Sequence, residues 1–289
     1  MTVAPSATPQ SSPGSVIRVS PEPGAAVDVV YERRGSGEPM LLLHGIGHHW
    51  QAWEPVLDAL AASYEVTAID LPGFGASQGL PPGHPYGVAT MVPVLAEIAR
   101  ALGMERPHVV GNSLGGLLAL ELGLHGHARS VTALSPAGFW NEPERRWAFG
   151  VLKALRLGTE SMPEGLVRRL TNSVAGRAAL VGSIYHRPGR RAPEAVRAEV
   201  AALRGAVGFA DTLAAGRSPE AHFTGDITDV PVTVAWGDRD RLLVPRQGVR
   251  AKRALPDARL VRLPRCGHVP MSDDPALVAR VALDTAARA

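Results

Sequence analysis

The stretch Val109-Val110-Gly111-Asn112-Ser113-Leu114-Gly115-Gly116 constrains this chain more than any other. Two β-branched residues lead into a Gly-x-Ser-x-Gly turn, and residues 117–124 (LLALELGL) then read as a helix. A strand that turns sharply into a helix needs small residues where backbone meets backbone, and Gly111 and Gly115 stand at those places. The turn holds a serine at its apex. A flexible Gly/Ser loop would not explain the apolar residues pressing in on both sides.

The rest of the chain repeats the alternation. Residues 15–20 (SVIRVS) and 27–32 (VDVVYE) are short β-type runs around Pro21-Glu22-Pro23-Gly24, expected as an antiparallel pair at a sheet edge. Residues 40–43 are continuously apolar and end in His44-Gly45-Ile46-Gly47, the pattern of a strand buried on both faces of a parallel sheet. A short helix within 50–62, a strand over 64–69, a Pro/Gly-rich loop from Asp70 to Tyr86 and a helix over 88–102 follow. Pro93 is expected in the first turn of that helix, where its missing N–H is tolerated. Strands over 108–111 and 131–134 flank the Ser113 turn at the spacing of right-handed βαβ units.

Between 138 and 228 the rhythm breaks. Helices are expected over 142–155, 162–177 and 193–214, the last two divided by Pro188-Gly189-Arg190-Arg191. Strand signals return at 230–236 and 258–263, with a helix ending near Ala254 between them and a closing helix from about 275 to 287. The expected plan is α/β, a doubly wound, mostly parallel sheet built from residues 15–137 and 229–289. A helical insert spans 138–228, and residues 1–14 form a disordered lead-in.

Charge narrows the function classes. With 30 basic and 27 acidic residues and no long Lys/Arg run, only small separate pairs such as Arg168-Arg169 and Arg190-Arg191, nucleic acid is not expected as a partner. Cys266 is the one cysteine, so no intrachain disulfide can form. The first 14 residues lack the basic and apolar regions of a signal peptide, and no apolar stretch approaches the ~20 residues that span a bilayer. The expectation is a cytoplasmic monomer or homodimer that acts on a small-molecule substrate, with no membrane partner.

In a doubly wound sheet, functional residues gather beyond the C-terminal ends of the strands. Those ends carry His44, Asp70, Ser113, Asp238 with Asp240, and His268. A serine hydroxyl needs a base to take its proton, and an imidazole serves because its pKa lies near working pH. A carboxylate on the far ring nitrogen fixes the tautomer and stabilises the imidazolium. Ser113 is therefore the expected nucleophile and His268 the base, with Asp238 and Asp240 both open as the acid.

The backbone N–H groups of Ile46 and Leu114 are the expected oxyanion donors, with Gly45 and Gly47 letting the first loop approach. His44 suits a loop-shaping role. His48 and His49 are expected at the surface or entrance and as possible substrate contacts. They lack the accompanying ligand spacing of a metal site. Trp140, Trp147, Phe149, Tyr185 and Phe209 concentrate aromatic content in the insert, as core or as cleft wall. Trp140, Trp147 and Val269 are expected substrate contacts.

These residues resemble the α/β-hydrolase fold superfamily, in its serine-nucleophile branch with a helical cap after the sixth strand. The likeness covers about residues 25–289. His44-Gly45-Ile46-Gly47 resembles the oxyanion loop and Gly111-Asn112-Ser113-Leu114-Gly115-Gly116 the nucleophile elbow. Asp70-Leu71-Pro72-Gly73-Phe74-Gly75-Ala76-Ser77 resembles the D-x-P-G-x-G-x-S loop, and Cys266-Gly267-His268-Val269-Pro270 the histidine loop. Trp236-Gly237-Asp238-Arg239-Asp240 resembles the acid loop, whose acid stands three residues after glycine, which implies Asp240.

The resemblance implies an eight-stranded sheet, no metal or organic cofactor, and a serine hydrolase acting on a carboxylic ester of a small to medium apolar substrate. Dehalogenases and epoxide hydrolases of this fold carry aspartate where this chain has Ser113. Asn112 is similar to carbon–carbon bond hydrolases of ring-cleavage products, but their Gly-Pro-Gly loop and the tryptophan after histidine are replaced here by His48-His49 and Val269. Perhydrolases and acyltransferases share the same three residues. A catalytically inactive binding protein on this fold would have no physical need for all three.

Overall fold

The computed structural model describes residues 14–20 and 26–289. The expected disorder over residues 1–13 and the turn at Pro21-Glu22-Pro23-Gly24 lie outside the described residues. Gly14 is described, and it packs close to Val30 and Tyr31.

Eight strands form one sheet in the order β1-β2-β4-β3-β5-β6-β7-β8. At one edge β1 (Ser15–Val19) pairs antiparallel with β2 (Val27–Arg34), which pairs antiparallel with β4 (Glu65–Ile69). From β4 onward every pairing is parallel, through β3 (Pro39–Leu43), β5 (His108–Asn112), β6 (Ser130–Leu134), β7 (Val232–Gly237) and β8 (Arg259–Leu263). The central strands β5, β6 and β7 are buried at every position, as helices on both faces require. The edge strands β1 and β8 carry Arg18, Arg259 and Arg262, charges that discourage pairing with another chain.

Strand alternation divides the core in two. Leu41, Leu43, Val109 and Val131 face one layer, packed by Leu95 and Ile98 of α2 (Val88–Ala101), Leu117 and Leu120 of α3 (Leu114–Leu124), and Ala251 of α9 (Gln247–Ala254). Met40, Leu42, Val110 and Leu134 face the other, packed by Leu57 and Leu60 of α1 (Glu54–Ala61) and Val278 and Ala282 of α10 (Pro275–Ala286). Each such aliphatic side chain contributes roughly 1.5–3 kcal/mol by leaving water. Helix α3 is buried all round, which is why its sequence has no polar stripe.

The segment between β6 and β7 is helical, with five helices rather than three. A capping box, Asn141 with Glu144, starts α4 (Glu142–Glu160), which runs five residues beyond its expected end. The single helix expected over 162–177 is two, α5 (Glu164–Thr171) and α6 (Val174–Val181). The Ser173 hydroxyl accepts from Gly176 N–H and begins a new helix there. The one expected over 193–214 is likewise two, α7 (Pro193–Gly205) and α8 (Phe209–Ala215), broken where Ala206 leaves helical dihedrals. Pro93 lies in the second turn of α2 rather than its first, since the helix already starts at Val88.

Candidate active site

Ser113 stands between β5 and α3 with φ 56° and ψ −116°, a conformation that costs a non-glycine residue about 1–3 kcal/mol. Backbone bonds hold it there: Ser113 N–H donates to Leu134 O (3.0 Å), and Ser113 O accepts from Ala137 (3.0 Å) and Leu117 (3.1 Å). The flanking glycines are obligatory for the reason foreseen. A Cβ on Gly111 would lie 2.0 Å from Gly115 O, and one on Gly115 would lie 2.1 Å from Leu43 O. Gly45 also packs against Ser113, and Gly47, at φ 72°, turns beneath Leu203.

Asp240 meets His268, and Asp238 does not. His268 Nδ1 lies 2.8 Å from Asp240 Oδ2, while Asp240 Oδ1 accepts from the N–H groups of Leu242 and Leu243 at 2.9 Å each. The carboxylate is completely enclosed, and its acceptor role makes Nδ1 the protonated nitrogen. Nε2 of His268 is buried and has no partner among the described residues. Asp238 points the other way, to Arg262 (2.9 Å) and Arg265 N–H (2.7 Å). Partial burial pushes its carboxyl up, but these donors outweigh that and hold it below the ordinary aspartate range.

Two residues that position this geometry were not legible as such in the sequence. Asn112 Nδ2 donates to Leu134 O (3.0 Å) and to His268 O (2.9 Å), tying the serine turn to the histidine loop. Asp273 accepts from Gly267, His186 and Arg187 N–H groups and so binds the same loop to the inserted segment. His268 N–H adds a 2.7 Å bond to Ile184 O.

His44 is buried and shapes its loop. It accepts from Leu71 N–H at Nε2 (3.0 Å), so Nδ1 carries the proton and donates to Gly45 O (2.7 Å). Burial pushes its pKa down to about 3. The loop after β4 is braced by Asp70, which accepts from Trp50 and Ala76 N–H groups. Burial raises the Asp70 carboxyl to about 6 against those two bonds.

His48 and His49 are not at the surface. They are 8 % and 7 % exposed, stack with ring centres 5.5 Å apart, and are each held near neutrality by burial, which depresses their pKa values. His48 Nε2 meets Tyr185 OH (3.1 Å) and His49 meets Gln51. Neither lines the cleft beside Ser113.

That cleft is walled by Ile46, Leu117, Trp140, Phe149, Leu152 and Leu213, among other uncharged residues. Ser113, Leu114 and Ile46 share it, and the Ile46 and Leu114 N–H groups have no acceptor among the described residues. Trp140 thus lines the cleft. Trp147 does not: it is 57 % exposed and donates to Arg241 O (2.9 Å), because the turn of α4 that aims Ala148, Phe149 and Leu152 inward aims it outward. Val269 is buried in the opposite core layer. Tyr86 and Val88 also line the cleft, brought there by a Pro/Gly loop whose path the sequence did not reveal.

Comparison with known proteins places this arrangement. A family model described as alpha/beta hydrolase fold matches residues 38–275. An Azorhizobium caulinodans protein, provisionally named a carbamate hydrolase, is 35% identical over 147 residues, which is 50% of this chain and only 54% of that protein. Lipase 3 of a Moraxella species is 28% identical over 249 residues, covering 82% of this chain and 73% of the lipase. Among solved structures, a meta-cleavage product hydrolase from Pseudomonas fluorescens superposes with a TM-score of 0.71 at 21% identity, over 94% of this chain and 97% of that one, a likeness of fold. Among the described residues no helix is long and apolar enough to cross a membrane. With its eight-stranded, mostly parallel sheet and with most of its length matched, the chain belongs to the alpha/beta hydrolase fold family.

Proposed function

We propose that this hydrolase cleaves carboxylic esters of small to medium apolar substrates through an acyl-enzyme on Ser113. The observation that carries the reading is the state of His268: Nδ1 is engaged by a buried carboxylate, and Nε2 is buried and uncommitted. In this reading Ser113 Oγ attacks the ester carbonyl as His268 Nε2 takes its proton. His268 then returns the proton to the departing alkoxide. Asp240 stabilises the imidazolium throughout. The Ile46 and Leu114 N–H groups receive the oxyanion. A water deprotonated by His268 releases the acid and restores Ser113. The acyl chain rests in the uncharged cleft under the inserted helices, which act as a cap.

Carbon–carbon bond cleavage is the second reading, and its sequence support is Asn112. That side chain is spent on Leu134 O and His268 O, a structural tie that any substrate class would use. Ester chemistry is preferred for that reason. The test is initial-rate hydrolysis of p-nitrophenyl esters from acetate to decanoate, with Ser113→Ala beside the wild type. Turnover that falls at least ~10²-fold in the folded variant supports the reading. An inert but folded wild type, or equal rates, overturns it.

A further inference from the structure

Two neighbouring residues of the inserted segment grip both loops that flank Ser113. Ile184 and Tyr185 follow α6, and the Ile184 carbonyl accepts from His268 N–H at 2.7 Å, on the histidine loop. The Tyr185 hydroxyl meets His48 Nε2 at 3.1 Å, on the loop after β3 that carries Ile46. The grip is itself fixed. A Cβ on Gly267 would lie 2.6 Å from Ile184 O, and Asp273 accepts from the His186 and Arg187 N–H groups.

The sense of each bond follows from the donors present. Tyr185 has one hydroxyl proton, and it goes to Glu199 Oε1 at 2.9 Å, a carboxylate that Arg191 holds in place. His48 Nε2 therefore carries the proton that Tyr185 accepts. Both bonds are buried, where hydrogen bonds are directional and not diluted by water.

The part of the loop that His48 anchors bears on the oxyanion site. Gly45 to His48 form a tight turn, closed by a 3.2 Å bond from His48 N–H to Gly45 O, with Gly47 at φ 72° as its third residue. Gly45 O also accepts from His44 Nδ1 at 2.7 Å. That oxygen and the Ile46 N–H belong to one planar trans peptide and point in opposite directions, so whatever fixes the oxygen aims the N–H. The Ile46 N–H has no acceptor among the described residues, and Ile46 shares the cleft with Ser113.

We propose that Tyr185 is a positioning residue: through His48 it holds the Ile46 N–H in register with His268. This role rests on the ester-hydrolase reading and serves the same site. Removing an oxyanion donor outright costs about 10²–10³-fold in rate, and a donor kept but misaimed costs part of that.

The experiment measures kcat/KM on p-nitrophenyl butanoate, affinity for pentyl trifluoromethyl ketone and affinity for the matching carbinol. Ser113 Oγ adds to the ketone carbon as its proton passes to His268 Nε2, and the carbonyl oxygen becomes the oxyanion. The carbinol fills the same cleft and forms none. Tyr185→Phe and His48→Leu are expected to lower kcat/KM and ketone affinity alike, by about tenfold, with carbinol affinity within about twofold of wild type. His48→Gln keeps a side-chain N–H and stays within about threefold. The double variant loses no more than about twice what one change loses, because both break one connection. Tyr185→Phe keeps the ring that Arg191 covers and decides alone should His48→Leu not fold. Ketone affinity unchanged in folded Tyr185→Phe, or carbinol affinity reduced as far as ketone affinity, overturns the role while Ser113-dependent turnover stands. An inert wild type, or ester turnover that survives Ser113→Ala, overturns the ester-hydrolase reading and the role with it.

Discussion

The inserted helices meet the sheet domain across two unlike surfaces. In the cleft beside Ser113, Trp140, Phe149, Leu152 and Leu213 face Ile46, Leu117 and Leu118 through apolar contact. On the other surface, polar side chains stitch the helices down. Tyr185 OH donates to Glu199 (2.9 Å), so His48 Nε2 donates to Tyr185, and Arg191 pairs with Glu199, donates to Ser272 and lies 4.6 Å over the Tyr185 ring. Asp273 completes the seam. Hydrogen bonds are directional and fix register, whereas apolar contact asks only that volume be filled. One surface therefore sets where the helices sit against the His268 loop, and the other leaves a wall along which a chain can lie.

The largest effect expected is at the floor of the cleft. Ser113→Ala lowers kcat on p-nitrophenyl esters at least about 10³-fold, with Asp240→Asn close behind and Asp238→Asn within about tenfold. The reverse order of the two aspartates would break the assignment. Next comes the stitched seam. Arg191→Ala leaves Glu199 buried without its cation and lowers unfolding free energy by about 3–5 kcal/mol, read from urea midpoints. A loss below about 1 kcal/mol would mean that the seam carries no more than surface pairs do.

Acid sharpens the contrast further. His44, His48 and His49 have folded pKa values below the unfolded value of about 6.5, so the unfolded chain binds their protons first. Their stabilisation is present above about pH 6.5 and is lost as pH falls, by up to about 4 kcal/mol per pH unit when all three titrate. Asp70 works in the opposite sense, because its folded pKa of about 6 exceeds its unfolded value. It favours the fold below about pH 4 and loses that contribution as pH rises toward 6. Chemical denaturation from pH 4 to 8 should show net acid lability in wild type, with a shallower slope in His48→Asn. An unchanged slope would show that His48 titrates normally in the fold.

Smaller effects belong to the cleft wall and its outside. Leu152→Ala, already beside empty space, costs about 2 kcal/mol or less and moves ester preference toward longer chains. Trp147→Ala, on the outer face of α4, should change kcat/KM by less than about threefold. A tenfold change there would place Trp147 in the substrate's path.

Much of this molecule was legible because local rules act on it strongly. The buried runs at Met40–Leu43 and Val109–Val110, and the glycines at 111 and 115, admit few alternatives to parallel strands and a tight strand-to-helix turn. The inserted helices were read less well. Ser173 is an ordinary serine until its hydroxyl meets Gly176 N–H, and the break at Ala206 falls between Gly205 and Gly208, glycines that in sequence mark only a weak point in a helix. The rotation of α4, which turns Phe149 inward and Trp147 outward, depends on what α4 packs against. His48 and His49 were expected near water, but His48 bonds Tyr185, 137 residues away, in the interior, and His49 stacks on His48.

The sequence alone determined the α/β alternation, the parallel sheet and the strand ends at which Ser113, Asp240 and His268 stand, because period, turn chemistry and burial on both faces are short-range properties of the chain. Only the tertiary structure decided that Asp238 turns away to Arg262, that Asn112 and Asp273 brace the loops, and that Trp140 and Thr212 share a wall. Those are contacts between residues far apart in sequence, and their distances follow from how helices and loops pack, which no local pattern encodes.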